Sequence, residues 1–159
     1  MYWKLRSGRR IHGGRFILMP PARFRIEGRG TVTFGAGVKI ERGARIIVRG
    51  HLDIGANVYI SKNVTIVAFS SVRIGANTLI AENVSIHDED HGPVRNRDRF
   101  EVTPVDIGRD VWICAGVVVT RGVIVGDRTT VAANAVVVRN LPADVVAGGV
   151  PARVLKAAP

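Results

Sequence analysis

Ile54-Gly55-Ala56-Asn57 recurs twenty residues on as Ile74-Gly75-Ala76-Asn77, and Phe34-Gly35-Ala36-Gly37 stands twenty residues earlier. Between these copies a large apolar residue returns at every sixth position: Phe34, Ile40, Ile46, then Ile54, Ile60, Ile66, then Ile74, Ile80, Ile86. The beat stops after Ile86 and resumes as Ile107, Ile113, Val119, Val125, Val131 and Val137. Repetition at a fixed short period is the mark of a solenoid, in which each unit buries its apolar side only by stacking on its neighbours.

The residues around each anchor define the unit. Two positions before many anchors stands another apolar residue, as in Val58 before Ile60, Val64 before Ile66 and Val111 before Ile113. A spacing of two puts both side chains on one face of a strand. Three positions after an anchor stands Gly, Asn or Asp: Gly37, Gly43, Asn57, Asn63, Asn77, Asn83, Asp110, Gly116, Gly122, Asn134, Asn140. These types enter the left-handed backbone region at low cost. A short strand followed by a forced corner, three times over, closes one turn of a three-sided coil. About five such coils, stacked at about 4.8 Å per layer, predict a prism about 25 Å tall. An amphipathic helix would need apolar residues at three- and four-residue spacing. The β-branched anchors and frequent Gly and Asn oppose it.

The pattern divides the chain. Residues 1–30 form a basic lead-in, in which Tyr2-Trp3-Lys4-Leu5-Arg6 suits a short helix or arm and Phe24 and Ile26 suit the start of an incomplete coil. Residues 31–140 are the coils, residues 87–106 an inserted polar loop within them, and residues 141–159 a cap over the last strand edge. Long loops in compact domains are usually functional.

The net charge is +10, with Lys4, Arg6, Arg9, Arg10, Arg15, Arg23, Arg25 and Arg29 crowded before the first clear repeat. A solvated basic face, a peripheral contact with an anionic membrane surface or glycan, and nucleic acid all suit such a charge. Neither a nucleic-acid motif nor a series of stacking aromatics accompanies it, so the expectation is no nucleic acid. No apolar run approaches a membrane span, and the basic N-terminus lacks a signal-peptide core. A single cysteine, Cys114, excludes an intrachain disulfide and fits a reducing compartment. The expectation is a cytoplasmic protein, with a membrane-peripheral position as the alternative.

The repeat resembles the bacterial hexapeptide-repeat family, whose fold is a left-handed parallel β-helix. Handedness comes from that resemblance alone, since generic crossovers are right-handed. The later chain is more specific. Val111-Trp112-Ile113-Cys114-Ala115-Gly116, Val125-Gly126-Asp127, Val131-Ala132-Ala133-Asn134-Ala135-Val136-Val137, Leu141-Pro142 and Ala147-Gly148-Gly149-Val150-Pro151-Ala152-Arg153-Val154 resemble the C-terminal signature of acetyl-CoA-dependent sugar O-acetyltransferases, the galactoside, maltose and polysaccharide enzymes among them.

That resemblance implies a direct transfer of acetyl from acetyl-CoA to a hydroxyl of a sugar or cell-surface polysaccharide precursor. It makes His91 the general base. Imidazole, with an ordinary pKa near neutrality, can take a hydroxyl proton and return it. The Ala115 amide becomes the donor to the oxyanion. Trp112, Ala115, Gly116 and Ala133 match positions along the CoA arm, and Arg139, Arg153 and Lys156 match contacts to its phosphates. The candidate acceptor side is Ser61, Phe69, Asn83 and His87. Ser61 and Phe69 replace the asparagine and aspartate of the galactoside enzymes, which argues for a different glycan. His87 is a competitor for the base, and Asp88, Glu89 and Asp90 are candidates to orient either imidazole. The resemblance further implies a homotrimer with sites between neighbouring prisms and no metal. Two other classes fit the same prism. A γ-type carbonic anhydrase would need three histidine ligands, here His51, His87 and His91. A non-catalytic scaffold would need none of these residues.

Overall fold

The computed structural model describes residues 10–96 and 98–159. The chain winds through six triplets of short strands. The first coil is β1 (Ile11–Gly13), β2 (Phe16–Leu18) and β3 (Arg23–Ile26); the second is β4 (Thr31–Phe34), β5 (Val38–Ile40) and β6 (Arg45–Val48). The third is β7 (His51–Ile54), β8 (Tyr59–Ile60) and β9 (Thr65–Ala68); the fourth is β10 (Ser71–Ile74), β11 (Leu79–Ile80) and β12 (Ser85–His87). After a hairpin of β13 (Glu89–His91) and β14 (Phe100–Val102) come β15 (Val105–Ile107), β16 (Trp112–Ile113) and β17 (Val118–Val119), then β18 (Ile124–Val125), β19 (Thr130–Val131) and β20 (Val136–Val137). A partial seventh coil holds Leu141, bridged to Val125, and β21 (Val145–Gly148); β22 (Arg153–Ala157) folds back along it.

Like strands stack on like. Face 1 runs β1-β4-β7-β10-β15-β18, face 2 runs β2-β5-β8-β11-β16-β19-β21-β22, and face 3 runs β3-β6-β9-β12-β17-β20. Every pairing between coils is parallel, and only β21 with β22 and the hairpin are antiparallel. The literal copies lie directly over one another: Phe34 pairs with Ile54, Ile54 with Ile74, and Ile74 with Ile107. The fold class is the parallel β-helix of hexapeptide coils that the repeat implied.

The anchors fill the prism. Phe34, Ile54, Ile74, Ile107 and Val125 line it from face 1, Ile40, Ile60, Ile80, Ile113 and Val131 from face 2, and Ile46, Ile66, Ile86, Val119 and Val137 from face 3, all buried. The corners turn as expected. Asn57, Asn63, Asn77, Asn83, Asp110 and Asn134 all hold φ between 57° and 60°. Their side chains stitch successive coils: Asn57 Nδ2 donates to Asn77 Oδ1 at 3.2 Å, and Asn77 Nδ2 to Asp110 Oδ1 at 3.0 Å. Asn140 does not take positive φ. Its Oδ1 instead accepts from the Ile124 amide at 2.8 Å. Arg128, at φ 55°, turns an upper corner and is held by a two-pronged contact with Asp144 at 2.6 and 2.8 Å.

The solenoid starts earlier and is taller than the sequence pattern indicated, with about seven turns. Residues 11–26 of the basic lead-in already form a coil, paired in register through Ile11 with Val32, Phe16 with Val38 and Arg23 with Arg45. Its apolar residues Phe16, Leu18, Phe24 and Ile26 are only partly buried, because nothing described covers them from below. The expected arm at Tyr2 to Arg6 lies outside the described residues. Among the described residues no helix is long and apolar enough to cross a membrane.

The corner geometry yields a test. A Cβ in the left-handed region costs about 1–2 kcal/mol except for Gly and, in part, Asn. Asn77→Ala should therefore lower unfolding free energy by about 1–2 kcal/mol, while Asn77→Gly, losing the same side-chain bonds, should cost less. Denaturant titration of the two variants checks the order.

Candidate active site

The interruption in the repeat is a hairpin that leaves and re-enters the prism at one corner. It departs from β12 on face 3 and returns as β15 on face 1, so the edge between those two faces carries it. Glu89 pairs with Val102, Asp90 with Glu101 and His91 with Phe100. The expected polar loop is thus partly an antiparallel ribbon, and a short 3-10 turn, Val94–Asn96, lies within its connection.

Asp88 secures the ribbon. It is completely buried. Its carboxylate accepts from the amides of Phe69 at 2.7 Å, Ser70 at 2.6 Å and Ser71 at 2.8 Å, the corner one coil below. Charge-assisted bonds of this kind are about twice as strong as neutral ones. On the other side the Thr103 amide donates to Asp88 O at 2.8 Å, and the Gly122 amide to Thr103 O at 3.0 Å. Asp88 therefore orients backbone and not an imidazole, which corrects one of its candidate roles.

The two histidines differ. His87 lies on face 3 over Val67. Its ring nitrogens face Ser85 Oγ at 2.8 Å and Glu89 Oε1 at 3.2 Å, so both are occupied within the chain. His91 makes no hydrogen bond among the described residues. Its ring packs on Phe100, centroids 5.0 Å apart, and Phe100 on Phe69 at 5.7 Å. The Arg49 guanidinium sits over Phe69, 4.2 Å from its centroid. His91 and Asp90 open onto a cavity of about 290 Å³ with Gly92, Pro93, Arg99, Glu101 and Arg121. Glu101 pairs with both Arg99 and Arg121. The Arg121 Nε is buried and has no hydrogen-bond partner among the described residues.

The remaining candidates lie elsewhere on the prism. Ser61, Asn83, Ala115, Gly116 and Ala133 occupy the corner between faces 2 and 3 in successive coils. There the floor is narrow: a Cβ on Gly116 would approach Asn134 Oδ1 to 2.3 Å. Trp112 projects from face 2, half exposed at 52%, in register with Leu79 below and Thr130 above. Arg153 and Lys156 lie on β22 at the top of face 2, and Arg139 follows β20 near the hairpin's edge. Phe69 reaches His91 through Phe100, whereas Ser61 and Asn83 lie at another corner. One prism thus carries His91 on one edge and Ala115 on another. The Cys114 thiol is pushed above its ordinary pKa by burial, so it stays protonated at neutral pH. His51 lies on face 1, its Nδ1 2.7 Å from Thr31 Oγ1, apart from His87 on face 3. Among the described residues no three metal-binding side chains cluster.

The bacterial transferase hexapeptide model (six repeats) matches residues 104–139. Galactoside O-acetyltransferase of Escherichia coli K12 is 38% identical over 66 residues, 42% of this chain and 32% of that protein. A putative colanic acid biosynthesis acetyltransferase of the same organism, WcaF, is 42% identical over 57 residues, 36% of this chain and 31% of that protein. A hexapeptide-repeat acetyltransferase of Vibrio cholerae, solved with acetyl coenzyme A, aligns at 28% identity and TM-score 0.64, covering 93% of this chain and 71% of its own. The chain continues that six-residue repeat through its other coils. It spans about a third of the length of the curated relatives it matches.

Sequence reasoning missed three features of the site: the three-amide seat of Asp88, the pairing of His91 with Phe100, and Arg121. Asp88 stood next to the histidines and was read with them. The buried position of an acidic residue between two coils is visible only once the corner at Phe69 is stacked beneath it.

The seat of Asp88 can be tested. In Asp88→Asn an NH2 group must face one of three buried donors, a loss of about 1–3 kcal/mol. Amide hydrogen exchange across residues 89–102 should accelerate strongly, with the coils changing little.

Proposed function

We propose that this protein transfers acetyl from acetyl-CoA to a hydroxyl of a glycan, with His91 as general base. The observation that carries this reading is His91 itself. It stands at the one interruption of the repeat, its ring nitrogens have no hydrogen-bond partner among the described residues, and it faces a cavity. The likeness to a galactoside O-acetyltransferase and a putative colanic acid biosynthesis acetyltransferase supports the choice of donor and acceptor.

The chemistry follows from the group. A neutral His91 accepts the acceptor's hydroxyl proton as that oxygen attacks the thioester carbonyl carbon. The carbonyl oxygen gains the negative charge, and a backbone N–H held in advance lowers its energy. The C–O bond forms, the C–S bond breaks, and the imidazolium returns its proton to the leaving thiolate. The Ala115 N–H is the proposed donor. It makes no backbone hydrogen bond among the described residues. Ala115, Gly116 and Ala133 supply the narrow track for the pantetheine arm beside Trp112. Arg139, Arg153 and Lys156 are the proposed contacts for phosphates. Phe69 and His87 flank the acceptor on the hairpin's side.

His91 and Ala115 stand on different edges, so we place the reaction between neighbouring prisms of a homotrimer, the hairpin of one copy over the corner of the next. Ser61 and Asn83 reach the acceptor in the same way. A metal-dependent anhydrase would have to gather His51, His87 and His91, which within one copy lie on two faces and a hairpin.

His91→Ala should lower turnover by about 10²–10⁴-fold, with CoA affinity retained. His87→Ala should cost much less, and Cys114→Ser should leave turnover unchanged. Steady-state transfer to glycan acceptors and CoA titration of the purified variants check this. Normal turnover in His91→Ala would remove the main support for the reading.

A further inference from the structure

The lowest coil leaves the floor of the prism open and surrounds it with cations. Ile11, Phe16, Leu18, Phe24 and Ile26 continue the interior columns of Val32, Val38, Ile40, Ile46 and Val48. The upper five are buried and the lower five only partly so, because none of the described residues lies beneath them. Met19, at the corner between faces 2 and 3, is exposed. The rim is basic. Residues 10–30 hold five arginines and one acid, Glu27, a net charge of +4. Arg15 stands at the corner between faces 1 and 2, Arg23 opens β3 beside the corner between faces 2 and 3, and Arg10 and Arg29 stand at the corner between faces 3 and 1, all exposed. Glu27 is engaged by Arg25 and Arg49, and Arg10, Arg15, Arg23 and Arg29 form no ion pair among the described residues.

An occupant of this end must cover apolar surface and neutralise cations at once. A second copy seated end to end brings the same positive charge against itself. Residues 1–9, which join the chain at this end, add Lys4, Arg6 and Arg9 and no acid, so they raise the charge rather than offset it. A free polyanion pairs with the arginines and leaves the apolar floor in water. A strand from another protein meets three open edges only three or four residues long, which are poor templates for pairing.

We propose that the lower end of the prism docks on an anionic lipid surface, its arginine rim among the head groups and its apolar floor, with Met19, at the acyl boundary. Each Arg near such a surface adds attraction that salt screens, while apolar burial adds attraction that salt does not remove. Tyr2, Trp3 and Leu5 of the joining segment are of the types that favour the same interface. Docking at this end keeps His91 on the aqueous side, since the hairpin leaves the prism three coils, about 14 Å, above. The binding does not depend on the acetyltransferase reading.

Co-sedimentation with vesicles separates the outcomes. The protein should bind saturably to vesicles of phosphatidylcholine and phosphatidylglycerol in equal parts, and weakly to phosphatidylcholine alone. Arg15→Ser and Arg29→Ser should each weaken binding about fivefold at low salt, equivalent to about 1 kcal/mol. Met19→Ser should weaken it at low and high salt alike. Arg109→Ser, exposed at the same corner as Arg15 but four coils higher, should change nothing and controls for general charge. Equal binding to the two vesicles, an equal loss in Arg109→Ser, or indifference to Met19→Ser would overturn the proposal. So would tighter binding to a DNA duplex that depends on the same arginines. Acetyl transfer by a protein that ignores both vesicles would sink the docking alone, and vesicle binding without transfer would sink the enzymatic reading alone.

Discussion

Everything in this molecule depends on each strand lying in register over the same strand of the coil beneath. Parallel pairing of short strands gives few hydrogen bonds per strand, and no strand here would persist alone. Stability comes from columns: anchors stacked inside, backbone ladders in the walls, Asn and Asp side chains at the corners. The register tolerates no stray residue. Val72 is followed one coil later by Val105, and Ile74 by Ile107, although the chain between is longer than in any other coil. The extra residues are expelled whole through one corner. A segment outside the ladders can carry side chains chosen for chemistry without disturbing the core.

The expelled segment is still fixed, and a buried carboxylate fixes it. Asp88 joins the hairpin's first residue to the corner at Phe69, and the same corner presents Phe69 to Phe100 and, through it, to His91. Position of the imidazole thus follows from three backbone amides one layer away. The opposite demand rules the corner at Ala115 and Gly116, where side chains are minimal and backbone is accessible. A base needs a rigid polar support, and a thioester arm needs a bare groove. The prism provides each on a separate edge, and in the proposed reaction a second copy closes the gap between them.

The solenoid was legible because its signals are local and repeated. Ile54-Gly55-Ala56-Asn57 states a strand, a corner and a spacing within four residues, and the structure obeys it at nearly every coil. The first coil was less legible: Phe16, Leu18, Phe24 and Ile26 pack only from above, and the surrounding arginines suit an edge as well as a tail. In the site, His91 was legible from its place in the interruption. The seat of Asp88 and the Phe69–Phe100 contact join residues from different coils. No spacing along the chain encodes them, since they arise only when coils are stacked in a particular register. The ribbon of β13 and β14 was hidden for a similar reason, because Glu89-Asp90-His91 has no strand-like alternation of its own.

In the proposed reaction base and groove come from different copies of the chain, and subunit mixing tests this most directly. His91→Ala removes the base and leaves the corner intact. Ala133→Trp, at an exposed corner position, blocks the groove and leaves the hairpin intact. Each variant alone should be inactive. Dissociated, mixed in equal amounts and reassembled, they should regain activity at about a quarter of the sites, as random assembly around a closed ring requires. A mixture as inactive as its parts, with hybrid trimers demonstrated by native mass spectrometry, would show that each prism holds a complete site of its own.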